Sequence, residues 1–161
     1  KIAVNTALYE QPDIVNQAAR RFGSQCVVAS IDVRQTDEGR YICVSRAGTC
    51  DTAREPLEVA REAVERGAGE ILLTSIDRDG TMTGYDLDLI ERVAVVPVPV
   101  IASGGAGNYG HMVDAVRRGG ASAVAAASIF HFTQRTPAEA RAALHAAGIP
   151  VRRAFVEAAH P

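Results

Sequence analysis

Asp32 ends an apolar run, Ala29-Ser30-Ile31, and two strings rich in glycine and hydroxyls follow it: SIDRDGT at 75–81 and SGGAG at 103–107. Each string comes after a stretch that reads as a β-strand and before one that reads as a helix. Backbone N–H groups hold a phosphate best where no side chain blocks the approach, and glycine removes the block. A third hydroxyl, Ser128, follows the next apolar stretch. Tandem loops at successive strand ends predict a phosphate site of the kind a (β/α) barrel builds at the C-terminal ends of its strands.

On that geometry the strand ends are Asn5-Thr6, Asp32, 74–79, 103–105 and Ala127-Ser128. They hold no nucleophile paired with a base: there is no GxSxG and no cysteine at a strand end. A carboxylate among hydroxyls and glycines favours acid–base work on a phosphorylated substrate over covalent catalysis. Asp32 is the candidate acid–base group, since partial burial at a barrel mouth lifts a carboxyl toward a working pKa. The plainer reading is a loop carboxylate capping a backbone N–H. Asp77 and Asp79 either both reach the pocket, or one of them holds the loop. For Asp77 a structural hydrogen bond is the plainer reading. Gly80-Thr81 and Gly104-Gly105 are turns or phosphate contacts, and their recurrence favours the second.

Glu70 opens its strand and so belongs to the opposite end. Period-two alternation puts Glu70, Leu72 and Thr74 on one face. A Thr74 in the pocket then implies a Glu70 inside the barrel floor, where Lys1 could pair with it. An ordinary ion pair is again the plainer reading. His111, His131 and His145 fall on helices or loops with no evident chemical role.

Strand and helix patterns alternate along the chain. Strands are expected at Ile2–Val4, 26–31, Glu70–Ser75, Val100–Ser103 and 122–126, and helices at 12–21, 55–66, 86–93, 109–118 and 137–147. Pro12 suits a first helical turn, and Gly23, Gly67, Gly119-Gly120 and Gly148 mark stops. Asp86 suits an N-cap. Five strands joined by four helical crossovers predict an α/β fold with a parallel sheet. A closed barrel takes eight strands, so the edges here would invite self-association unless something covers them. Residues 33–54 read as a polar insertion, with a hairpin arm near 41–44, and about 152–161 as a frayed tail. The whole of 1–161 reads as a single partial barrel domain. Starting at Lys1, directly before a strand, it reads as a piece of a longer chain.

Composition narrows the function classes. Of 161 residues 47% are hydrophobic, enough for one real core. Seventeen basic residues against 19 acidic ones give a net charge of −2, which makes no case for nucleic acid or an anionic membrane. Three cysteines, Cys26, Cys43 and Cys50, without CxxC, fit a reducing, cytoplasmic compartment. Cys26 is expected to be packed at the start of its strand. The histidines lack HxxxH or HExxH spacing, so no metal site is expected. No apolar run approaches the roughly 20 residues that span a bilayer.

Taken together, these residues resemble the cyclase subunit of imidazole glycerol phosphate synthase, a (β/α)8 barrel of the TIM type. The stretches that carry the resemblance are VNTA at 4–7, RFGSQCVVASID at 21–32, RGAGEILLTSIDRDGT at 66–81, GYD at 84–86, VIASGGAG at 100–107 and AASIFHF at 126–132. They cover nearly all of the chain and correspond to the fourth to eighth strands. A sister barrel, the isomerase of the preceding step, shares the phosphate loops but typically reads closer to ISRDGT, so Asp77 favours the cyclase.

The resemblance implies roles residue by residue. Asp32 is similar to one of the family's two catalytic aspartates. Asn5 and Thr6 resemble part of one substrate phosphate site; Asp79, Gly80, Gly104, Gly105, Ala127 and Ser128 resemble the other. Thr74, Ser103 and Asp77 belong to the pocket between them. Lys1 and Glu70 resemble half of a charged ring at the floor that gates ammonia from a glutaminase partner. The implied reaction joins ammonia to a ribulosyl aminoimidazole-carboxamide nucleotide, with no metal or redox cofactor. The first three strands and the second aspartate lie outside the match, so this length is expected to bind phosphate better than it catalyses. GlyArgTyr at 39–41, GlyThr at 48–49, GluPro at 55–56, GlyThrMet at 80–82 and the run at 133–137 depart from the usual pattern. They look closer to a paralogous branch that serves amidotransfer to bacterial surface sugars.

Overall fold

In the computed structural model, which describes residues 1–152, two strands set the pattern for the rest: β2 (Val27–Gln35) and β5 (Glu70–Ser75). Val27, Ala29, Ile31 and Val33 on β2, with Ile71 and Leu73 on β5, are at most 1% exposed. Ser30, Asp32, Leu72 and Thr74, on the opposite face, are half-buried. Successive strand residues point to opposite faces, so one face of the sheet is sealed and the other is open. Burying each Ile or Leu contributes about 1.5–3 kcal/mol. That fixes the register, because a one-residue slip would turn Asp32 into the core.

The parallel strands are β1 (Ile2–Val4), β2, β5, β6 (Val100–Ser103) and β7 (Ala123–Val124), paired in that order. Helices fill the connections: α1 (Thr6–Glu10) and α2 (Asp13–Phe22) after β1, α3 (Pro56–Glu65) before β5, α4 (Leu87–Val93) before β6, and α5 (Tyr109–Arg117) before β7. One-turn α6 (Ser128–His131) and α7 (Pro137–Ala146) follow. The starts of α4, α5 and α7 carry side-chain caps. Asp86 accepts from Leu89 N at 3.1 Å, Asn108 accepts from His111 N at 2.9 Å, and Thr136 with Glu139 forms a capping box. The result is α/β, a partial (β/α) barrel.

Beyond Asp32 the chain departs from expectation. β2 continues to Gln35 and turns back as β3 (Tyr41–Ser45), which pairs antiparallel with it and then with β4 (Cys50–Asp51). Asp32 is therefore inside a strand, facing Val44, and not at its end. Apolar patterning stops at Val33, but Val33 is fully buried, Arg34 pairs with Ile42 of β3 and Gln35 N donates to the Asp77 carboxylate. The polar insertion is thus largely a three-stranded arm.

The strand expected at 122–126 is only Ala123–Val124, because its ladder ends with Ala125 N donating to Ala102 O at 2.8 Å. Cys26 sits half-buried in a 3-10 turn, Ser24–Cys26, ahead of the strand it was expected to open. The short helices α1 and α6 had no periodic signal, being five and four residues long. Most of the expected frayed tail, from 153 on, lies outside the described residues.

Candidate functional site

The loops after β5, β6 and β7 enclose a cavity of about 230 Å³. Asp79, Gly80, Ser103, Gly104, Gly105 and the 125–128 backbone line it, with Met82 and Ala106. Six of the eight residues assigned to phosphate by sequence meet there: Asp79, Gly80, Gly104, Gly105, Ala127 and Ser128.

The glycines serve first to bring the two loops together. A Cβ on Gly104 would stand 2.5 Å from Ser75 O, and one on Gly105 would overlap Gly84 O. Gly105 O in turn accepts from Gly84 N at 2.7 Å. At Gly107 a Cβ would overlap Met82 O. Gly104 and Gly105 both take positive φ, +90° and +102°, which side chains resist. Packed this way, the loops leave the N–H groups of Gly104, Gly105 and Ser128 without an acceptor among the described residues. Unpaired donors around a cavity suit an anion's oxygens. No Lys or Arg lines it, and Asp79 is its one charged side chain.

Asp32, Thr74 and Ser103 form one row across three neighbouring strands, since Asp32 faces Thr74 and Thr74 faces Ser103 in the ladders. Strands lie about 4.8 Å apart, so the acid stands roughly 10 Å from the cavity's edge. Partial burial pushes the Asp32 carboxyl above the usual carboxylate range and the negative charge of Asp79 adds to this, while a hydrogen bond from Thr74 opposes it.

At the other end Lys1 pairs with Glu70, their side chains 51% and 21% exposed. Glu70 faces Val28 and shares the open face with Leu72 and Thr74.

Besides Asp32, Thr74, Lys1 and Glu70, three more of the assigned residues lie outside the cavity lining. The Asn5 side-chain NH2 donates to Ser30 O at 3.0 Å and to Val44 O at 3.4 Å. Thr6 Oγ1 accepts from Arg46 N at 3.2 Å. The Asp77 carboxylate accepts from Gln35 N at 2.7 Å, holding the end of β2.

The structure also brings in residues that sequence reasoning passed over. Arg34 sits two positions beyond Asp32 on the same face and pairs with Asp51 of the arm. Gly107 N donates to His111 Nδ1 at 3.2 Å, behind the second loop. Neither position had a spacing that would have marked it. No group of three or more metal-ligating side chains occurs among the described residues, nor a helix long and apolar enough to cross a membrane.

A mostly parallel sheet backed by helices, with N–H-lined loops at its strand ends, defines a partial (β/α)-barrel domain. The model for the family described as "Histidine biosynthesis protein" matches residues 1–136, and the chain belongs to that family of histidine-biosynthesis barrel enzymes.

Proposed function

We propose that this chain is the ammonia-using cyclase part of an imidazole glycerol phosphate synthase. The observation that carries the reading is the surface around the Lys1–Glu70 pair. Ile2, Phe22 and Val95 are 46%, 58% and 65% exposed. All three belong to the end where strands begin: Ile2 opens β1, Phe22 ends the helix leading to β2, and Val95 stands between α4 and β6. They are three of the four exposed large apolar side chains among the described residues. Exposed apolar side chains at the same end of the sheet as a charged pair fit a docking face for another protein. A subunit fed with ammonia by a glutaminase needs such a face; a barrel isomerase acting alone does not.

In this reading ammonia passes Lys1 and Glu70 and reaches a phosphorylated substrate whose phosphate rests on the Gly104, Gly105 and Ser128 N–H groups. Ammonia adds to the ketone and water leaves. Asp32, its pKa raised, gives and takes the protons that release aminoimidazole carboxamide ribotide and close the imidazole ring. At a second phosphate Asn5 would serve through its backbone, its NH2 being engaged with Ser30 O and Val44 O, while Thr6 Oγ1 accepts from Arg46 N and keeps its O–H to donate.

Turnover of the ribulosyl nucleotide with ammonium salts by the full protein tests the proposal. Asp32→Asn should lower kcat by about 10²–10⁴-fold. A well-folded wild type without turnover would sink it. One observation favours the surface-sugar amidotransfer branch instead. The departing residues Gly39, Arg40, Tyr41, Glu55 and Pro56 converge on one groove of about 310 Å³ beside α4. Growth of a histidine auxotroph on this gene would count against that branch. An inactive half-barrel module would show neither activity.

A further inference from the structure

The edge of β2 changes partner midway. β1 covers it as far as Ala29, where Val4 is the last paired residue, and β3 takes over at Asp32. Ser30 lies in the gap. The Asn5 NH2 bridges it, donating to Ser30 O on β2 and to Val44 O on β3. The next residue does the same for the turn of the arm: Thr6 Oγ1 accepts from Arg46 N. Val44 is the ladder partner of Asp32. Two consecutive side chains at the end of β1 thus hold the strand that faces the candidate acid, the Asn5 NH2 through both of its N–H groups and the Thr6 hydroxyl as an acceptor that keeps its own O–H to donate.

We infer that Asn5 and Thr6 are positioning residues, a clip that fixes the arm against β2 and thereby sets the placement of the Asp32 carboxyl. This rests on the reading of Asp32 as the working acid. An amide suits the place because it presents two N–H donors and so can serve two carbonyls at once. Without it, Ser30 O would lose that partner at a partly buried junction and the link from β1 to Val44 O would be gone, which favours movement of the arm. Any movement of β3 is felt at Asp32 through their shared ladder. The other charged or titratable groups around Asp32 are Asp79 in the loop after β5, Arg34 and Asp51 on the open face of the arm, and Tyr9 and Cys43. Asn5 and Thr6 carry no charge themselves, so changing them acts on Asp32 through the arm, which carries Cys43 and Asp51 with it.

The test compares Asn5→Ala and Thr6→Val with the wild-type chain by NMR. One readout is the titration of the Asp32 carboxyl; the other is the affinity for inorganic phosphate, followed at the Gly105 amide. The expected result is a shift of the Asp32 midpoint by about half a pH unit, roughly threefold in its ionisation constant, with phosphate affinity within about twofold of wild type. Thr6→Val is nearly isosteric and keeps the test open if Asn5→Ala does not fold. An Asp32 midpoint unchanged in the variants that fold overturns the inference, and so does a tenfold loss of phosphate affinity at the Gly105 amide, which would show that the substitutions disturb the whole sheet and not the arm. If instead Asp32→Asn leaves ammonium-dependent turnover intact, the catalytic reading fails while the clip, scored on the titration, stands.

Discussion

Gly105 and Gly80 line the same cavity under opposite constraints. Both have positive φ, +102° and +77°, but a Cβ on Gly105 would strike the Gly84 carbonyl, while one on Gly80 would meet nothing within 4 Å. Gly80→Ala should therefore cost about 1–2 kcal/mol, the backbone strain alone. Gly105→Ala should cost about 2–4 kcal/mol, because the two loops must part as well. Chemical denaturation of both variants checks the ordering, and equal costs would refute the loop-packing account. Both glycines were evident in the sequence; which one faces open space and which faces a backbone was not, since that depends on a loop twenty residues away.

Asp32 carries a second consequence at this scale. Its folded-state pKa is raised, by burial above all. Such a group supports the fold fully below the ordinary carboxylate pKa of about 4, and that support is gone once pH has risen through the folded value. Asp32→Asn should accordingly raise the urea midpoint at pH 7 and give no gain at pH 3. A variant less stable than wild type at pH 7 would mean that its contacts, Thr74 included, outweigh the burial.

At the scale of elements, the arm is fastened at more than one point. Tyr41 OH donates to Asp86 Oδ1 at 2.8 Å, and the same oxygen accepts from Leu89 N to cap α4. Tyr41→Phe should cost about 0.5–1.5 kcal/mol, the net worth of one hydrogen bond. Asp86→Ala should cost more, since removing a cap alone costs about 1 kcal/mol. Thermal melts of the two variants and their double mutant measure the coupling. Burial, helped by the bond to Asp86, pushes the Tyr41 hydroxyl up to about 12. Its contribution is full below the ordinary tyrosine pKa and is lost as pH rises toward 12.

Elements long enough to show a period were legible: Glu70–Ser75 and Val100–Ser103 came out with their bounds, and Asp86 was recognisable as a cap. The arm was only half legible. Tyr41–Ser45 carries apolar residues, but the run from Arg34 onward is polar, and its strand character comes from pairing across the hairpin. That pairing also moved Asp32 from a strand end to a strand interior.

For the molecule as a whole, the open face of the sheet is the dominant feature. Leu72 and Ile101 face each other in the ladder there and remain only half-buried, while Val100 and Ala102 behind them are at most 1% exposed. The outer strands β1 and β7 each pair on one side only among the described residues. Sequence patterning predicted association through those edges. Yet β1 and β7 have three and two residues, too few for a ladder that could hold two chains together. A stable interface buries about 1,200–2,000 Å² in total, and the open face is the surface broad enough to supply it. The expectation is therefore association face to face, with the edges joining as a consequence. Light scattering should show the mass of the isolated chain rising with concentration. Ile101→Lys, which touches the open face and leaves the helix side alone, should return it to a monomer without lowering its thermal midpoint by more than about 1 kcal/mol equivalent. A folded wild type that stays monomeric at every concentration would show that Leu72 and Ile101 tolerate water, and would leave the open face to a partner of different chemistry.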